Sequence, residues 1–142
     1  MNSSGSSLNA SPHSALLCPE YLGFNRETST ISVRFTVQES MTTWRGGVQG
    51  GLVAGYLDEV MGYAYVAMTQ GEQAPLNLEI SMTLLQLIPA GAVIIGKGRV
   101  VRAGRRVVFL EGELLDENGG IYARATSTAI PTPKPQPPDE AK

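Results

Sequence analysis

The chain has one cysteine, one histidine, almost no net charge and no long apolar run free of acids. Each scarcity removes a class of function. A single cysteine, Cys18, excludes an internal disulfide and fits a reducing compartment, so a cytoplasmic location is expected. A lone cysteine can be a nucleophile, but a small apolar filler is the favoured reading. The one histidine, His13, falls in "MNSSGSSLNASPHS", expected to be a flexible lead outside the fold. That lead has neither a basic n-region nor an apolar h-region and is not expected to be a signal peptide. No Ser–His or Cys–His pair is then expected. One His, one Cys and scattered acids do not make a ligand set, so no metal and no cofactor is expected. Thirteen acids against 11 bases give a formal charge of -2 and no general pull toward nucleic acid or an anionic membrane. The longest apolar segment contains Asp58 and Glu59 and follows clustered glycines, so no membrane span is expected either.

What is present reads as one domain with a real core: 142 residues, 42 % of them apolar. Residues 1–15 form the lead and residues 16–130 the folded unit. Residues 131–142 form a tail that holds five of the nine prolines and is expected to be disordered or extended. "STISVRFTVQ" alternates, with Ile31, Val33 and Phe35 on one side, and predicts a strand. Leu52–Met68 is apolar on all sides and free of proline, which predicts a helix buried on most faces. Four strands should follow. "PLNLEISMTLLQL" sets Leu76, Leu78, Ile80 and Met82 on one face; "AVIIGKGRVV", "RVVFLEGELL" and "IYARATSTAI" come next. The turns between them, "PAG", "RAGR" and "DENGG", are short, which forces antiparallel pairing. A curved antiparallel sheet wrapped around one apolar helix satisfies this order, and Gly96 and Gly98 would let a strand bend over it.

The chemistry-bearing stretch is "TTWRGGVQGGLVAGYLDEVMGYAYVAM". Residues three and four away from Asp58 are Ala54, Gly55, Met61 and Gly62, largely a stripe of small side chains. "GGVQGG" stands at the helix start, where backbone N–H groups lack intrahelical partners and the dipole favours negative charge. That suits a phosphate or a developing oxyanion. It lacks the Lys-Ser/Thr of a P-loop and the spacing of a dinucleotide fingerprint. An oxyanion donor and a carboxylate on one helix suit hydrolysis of an activated carbonyl, the acid acting as general base or nucleophile. The plainer alternatives are that the glycines only permit tight packing and that both acids are solvated on an emerging face.

On these residues the chain resembles the hotdog-fold acyl-CoA thioesterases of the phenylacetyl-CoA and 4-hydroxybenzoyl-CoA type. That family wraps five or six antiparallel strands around one long helix, an α+β fold. Its signature, N-x-x-G-x-x-H-G-G followed by an acid, is matched by "TWRGGVQGG" and then Asp58. "LNLEISMTLLQLIPAG" and "GRVVRAGRRVVFLEGELLDENGGIYARATST" are similar to its later strands, so the resemblance covers about 16–130. It implies Asp58 as catalytic acid and Gly50 as the N–H that polarises the thioester carbonyl. Gln49 stands where the family has His, Thr43 where it has Asn, and Asn77 near a position that helps hold water. It also implies sites shared between the subunits of a dimer or tetramer. Gly51 would lie beside the bound thioester, and Val48, Leu52, Met61, Tyr65 and Leu84 would line an acyl tunnel. Arg102, Arg105 and Arg106 are candidates for the phosphates of coenzyme A, part of the substrate and not a cofactor; a plain solvated turn fits them equally. Glu59 would serve a subunit contact. The activity implied is hydrolysis of an aromatic or medium-chain acyl-CoA. A ligand-binding module of the same fold without turnover, and a purely structural oligomer, are the alternatives.

Overall fold

A computed structural model describes residues 11–133. The first ten residues of the lead and the last nine of the tail lie outside the described residues. A short helix α1 (Ser14–Leu17) is followed by β1 (Glu20–Asn25) and β2 (Thr30–Thr36). A 3-10 turn (Glu39–Met41) leads to the long helix α2 (Gly50–Met68). Then come β3 (Gln73–Leu84), β4 (Val93–Ala103), β5 (Val108–Leu115) and β6 (Ile121–Pro133). The six strands form one antiparallel sheet in the order β1-β2-β4-β5-β6-β3. Among the described residues no helix is long and apolar enough to cross a membrane.

The expected architecture is the observed one. Every second residue of the inner strands turns toward α2: Ile31, Val33 and Phe35 from β2, Val108, Leu110 and Leu114 from β5, Ala123 and Ala129 from β6. They meet Val53, Tyr56, Leu57, Val60, Met61 and Ala64 of the helix, all fully buried. Each large side chain buried this way contributes roughly 1.5–3 kcal/mol against its exposed state. Gly96 and Gly98 act by contact as much as by bending. A Cβ at Gly98 would overlap the Val60 carbonyl, and one at Gly96 would stand 2.7 Å from Val60 Cγ1. Glycine in β4 is what lets the helix backbone lie directly on the sheet.

Three expectations are corrected. The strand β1 was not foreseen; it is an edge strand broken by a register shift between Tyr21 and Gly23, so its sequence does not alternate cleanly. The lead is not all outside the fold, because Ser14 is buried and His13 bonds Glu59. The single apolar face expected of β3 is split. A bulge between Asn77 and Glu79 inserts Leu78, so Asn77 joins Ile80 and Met82 on the helix side. Leu76 and Leu78 are left 56 % and 61 % exposed. The outer edge of β3 is unpaired among the described residues.

Candidate active site

The chain enters α2 through a tight excursion. Thr42 bridges Val48, Gly47 bridges Pro89, and the turn between closes with Gly46 at φ +84°, a conformation that glycine tolerates. Thr43 is exposed and its hydroxyl accepts from the Arg45 N–H at 3.3 Å, so it shapes this turn. Gln49 is the helix N-cap, its Oε1 accepting from the Leu52 N–H at 3.0 Å. The next two N–H groups, of Gly50 and Gly51, have no intrahelical acceptor. Gly50 is open: a Cβ there would meet nothing within 4 Å. Gly51 is closer to its neighbours, with Gln49 Oε1 2.9 Å from where its Cβ would stand. The open Gly50 amide at the positive end of a 19-residue helix is a fit receptor for negative charge on oxygen.

Eight residues further on, Asp58 lies on the outer face among Gly51, Ala54, Gly55 and Gly62, none of them fully buried. Asn77 Nδ2 donates to Asp58 Oδ1 at 2.5 Å, and Ser127 Oγ donates to Asn77 Oδ1 at 2.7 Å. Although solvent reaches Asp58, the surrounding protein displaces enough water to raise its carboxyl above the ordinary aspartate range. The Asn77 hydrogen bond opposes that rise, the Glu59 charge adds to it and His13 opposes it.

Glu59 has the opposite surroundings. It is 7 % exposed and closed in by its own chain. His13 Nε2 lies 2.6 Å from Oε1; Ser14 Oγ and Tyr63 OH donate to Oε2 at 2.8 and 2.6 Å. Burial and the adjacent carboxylate push the Tyr63 hydroxyl far above its usual range, so it stays a donor. The expected subunit contact for Glu59 is thus replaced by a tie between α1 and α2. His13, expected outside the fold, is one end of it.

The remaining candidates separate. Met61 and Tyr65 are 0 % and 3 % exposed; Met61 faces Gly112 of the sheet and the Tyr65 hydroxyl bonds Gln73. Val48 is buried and its N–H is held by Ile88. Within the single chain all three are buried in the core. Leu52, half-buried, and Leu84, 44 % exposed, do reach the surface. Arg102, Arg105 and Arg106 are exposed on the β4–β5 turn. The register row Ala103–Val108–Ala129–Asn77 puts that turn two to three strand spacings from Asn77, roughly 10–14 Å. The structure therefore brings together Asp58 and Asn77, keeps Gly50, Gly51 and Gln49 at the helix start, and leaves the arginines apart. Sequence reasoning missed Ser127; its signal was a polar residue on the inward phase of "ATSTA".

Comparison with known proteins identifies the family and the fold. The chain belongs to the thioesterase superfamily, whose family model matches residues 46–123, from the glycine turn to the start of β6. Its fold is the hotdog fold of these thioesterases. A phenylacetic acid degradation-related protein of Ralstonia eutropha is 24 % identical with a TM-score of 0.79, covering 91 % of this chain and 99 % of its own. The PaaI protein of E. coli, from the phenylacetic acid degradation operon, is 14 % identical with a TM-score of 0.78, covering 92 % and 96 %. A Streptococcus mutans protein solved with acetyl-CoA bound is 19 % identical with a TM-score of 0.73, covering 83 % and 91 %. No curated protein matches the chain.

Proposed function

We propose that the chain hydrolyses acyl-CoA thioesters at sites shared between two copies of itself. The observation that carries this is the spacing on α2. Gly50 and Asp58 are eight residues apart, about 12 Å along a helix axis. A thioester carbonyl must lie roughly 3 Å from its oxyanion donor and within reach of the base, so one chain cannot supply both. A second copy brings its Gly50 to this Asp58. The exposed Leu76 and Leu78 beside the unpaired β3 edge support such a neighbour, since an open apolar edge invites pairing. Light scattering should find a dimer or tetramer; a stable monomer of 15.1 kDa at micromolar concentration contradicts the shared site.

In the reaction, Asp58 takes a proton from water as the water oxygen attacks the thioester carbonyl. The carbonyl oxygen becomes an oxyanion held by the Gly50 and Gly51 N–H groups. Collapse expels the thiolate, a good leaving group because its conjugate acid has a pKa of about 8.5. Direct attack by Asp58 would give an acyl anhydride that water then opens. Leu52 and Leu84 offer apolar surface for an aromatic or medium-chain acyl group. Arg102, Arg105 and Arg106 would hold the nucleotide phosphates. Arg105→Ala should then raise KM for acyl-CoA about three- to tenfold and spare thioesters lacking the nucleotide, since such contacts act equally in ground and transition states. Equal effects on both substrates remove the arginine from the site.

The second reading, an acyl thioester binding module without turnover, is favoured by one observation: the Gln49 side-chain oxygen is committed to capping the helix and Thr43 to its turn. A panel of acyl-CoAs with a thiol reagent decides. Thiol release on at least one substrate is expected; saturable binding with release on none selects the module.

A further inference from the structure

Ser127 is the one inward-facing polar residue in a row of β6 alanines, Ala123, Ala125 and Ala129, that floor the seat of α2. It is 2 % exposed. A buried hydroxyl in an apolar row is costly unless it is bonded, and its partner here is the Asn77 amide oxygen at 2.7 Å. Asn77 owes its inward direction to the β3 bulge; with regular alternation through Leu78, Asn77 and Ile80 could not share a face. An asparagine amide can flip, presenting either its oxygen or its NH2 group to a neighbour. A donor on the oxygen side removes that freedom. With Ser127 donating to Oδ1, the NH2 group is turned to Asp58 and leaves one N–H for a further acceptor.

We propose that Ser127 is a positioning residue that acts on Asp58 through Asn77, locking the amide so that its NH2 group holds the carboxylate in the ionised, correctly aimed state. The β3 bulge and the β6 serine then form one device: the bulge aims Asn77 and the serine fixes which end of it faces the acid. This rests on the reading of Asp58 as the reactive group only for its catalytic consequence; the effect on the carboxylate itself does not depend on it.

The test follows the Asp58 carboxyl carbon by NMR titration in the full chain, comparing wild type with Ser127→Ala and Ser127→Cys. The cysteine keeps the volume and is a weak donor, so it serves if the alanine fails to fold. In both variants the apparent Asp58 pKa should rise, by about half a unit to one unit, as a hydrogen bond to the charged form is loosened. In an Asn77→Ala background the Ser127 change should add nothing, since the path runs through the amide. An Asp58 titration unmoved by either substitution overturns the proposal, as does a shift of equal size without Asn77. Kinetics with acyl-CoA supply the separate catalytic arm. Ser127→Ala should lower kcat about three- to tenfold, leave KM unchanged and carry the acid limb of the rate profile upward with the NMR value. A wild type that hydrolyses no acyl-CoA, together with a shifted Asp58 titration, sinks the thioesterase reading while the Ser127–Asn77–Asp58 coupling stands.

Discussion

Asp58 and Glu59 are neighbours in the chain and opposites in the fold. Consecutive helix residues point about 100° apart, and in α2 that angle separates an outer stripe of glycine and alanine from the packed seam against α1. Glu59 has a donor on each oxygen and sits within the protein. Asp58 has one amide, an open flank and a carboxyl raised by partial desolvation. A buried carboxylate with three of its roughly four lone-pair sites taken by its own chain is closed to water and substrate. One left with a single donor and a pKa pushed upward is suited to take a proton. Two acids in a row thus divide into a structural group and a reactive one through their surroundings alone.

In the unmutated chain the comparison shows first in the pH profile. If Asp58 must be ionised, kcat/KM falls about tenfold per pH unit on the acid side, with its midpoint above the ordinary aspartate value. Glu59→Gln should leave that limb nearly in place. A limb that disappears in Glu59→Gln would reverse the assignment.

Stability should separate the two acids by sign. Glu59→Ala leaves the buried Ser14 and Tyr63 hydroxyls with only each other, 2.9 Å apart, in place of a charged acceptor, and should cost about 2–4 kcal/mol in denaturant unfolding. A raised folded-state pKa works the other way for Asp58. Its favourable contribution is complete below the unfolded pKa and is lost as pH rises through the folded one, so at neutral pH its charge is a burden. Asp58→Asn should therefore be neutral or stabilising. Solvent screening at this open site holds the gain to no more than about 1 kcal/mol. A destabilised Asp58→Asn would show that Asp58, too, is structural.

Smaller effects should come from the partners of Glu59. Tyr63→Phe removes one of its donors and should cost about 1 kcal/mol. His13→Ala should cost about 0.5 kcal/mol or less, because the histidine side chain is 59 % exposed. A His13 effect larger than that of Tyr63 would mean that α1 is held mainly by its contact with Glu59 and not by burial of Leu17.

Much of this was legible in the sequence. Alternation marks β2, β5 and β6 correctly, because an inner strand with one buried face must alternate; "AVIIGKGRVV" reads as a strand with two glycines and is β4, and β3 alternates only on either side of its bulge. The helix, its glycine start and Asp58 could be read from composition and spacing. Three things could not. A bulge leaves no periodic trace, so the split of Leu76 and Leu78 from Ile80 and Met82 was hidden. Two of the three partners of Glu59, Ser14 and His13, lie 45 and 46 residues away in a stretch whose composition resembles a linker. Met61 and Tyr65 sit on the spiral next to Asp58, but a helix apolar on all sides gives no moment to show which of its faces the sheet takes.

The division between the two acids is tested most directly by thiol release from acyl-CoA under saturating substrate, with Asp58→Asn and Glu59→Gln compared at matched oligomer size. Loss of assembly would otherwise imitate loss of chemistry. The expected result is a kcat lower by about two to four orders of magnitude for Asp58→Asn, with acyl-CoA still bound, and within about tenfold of wild type for Glu59→Gln. A dead Glu59→Gln beside a nearly normal Asp58→Asn would contradict the account.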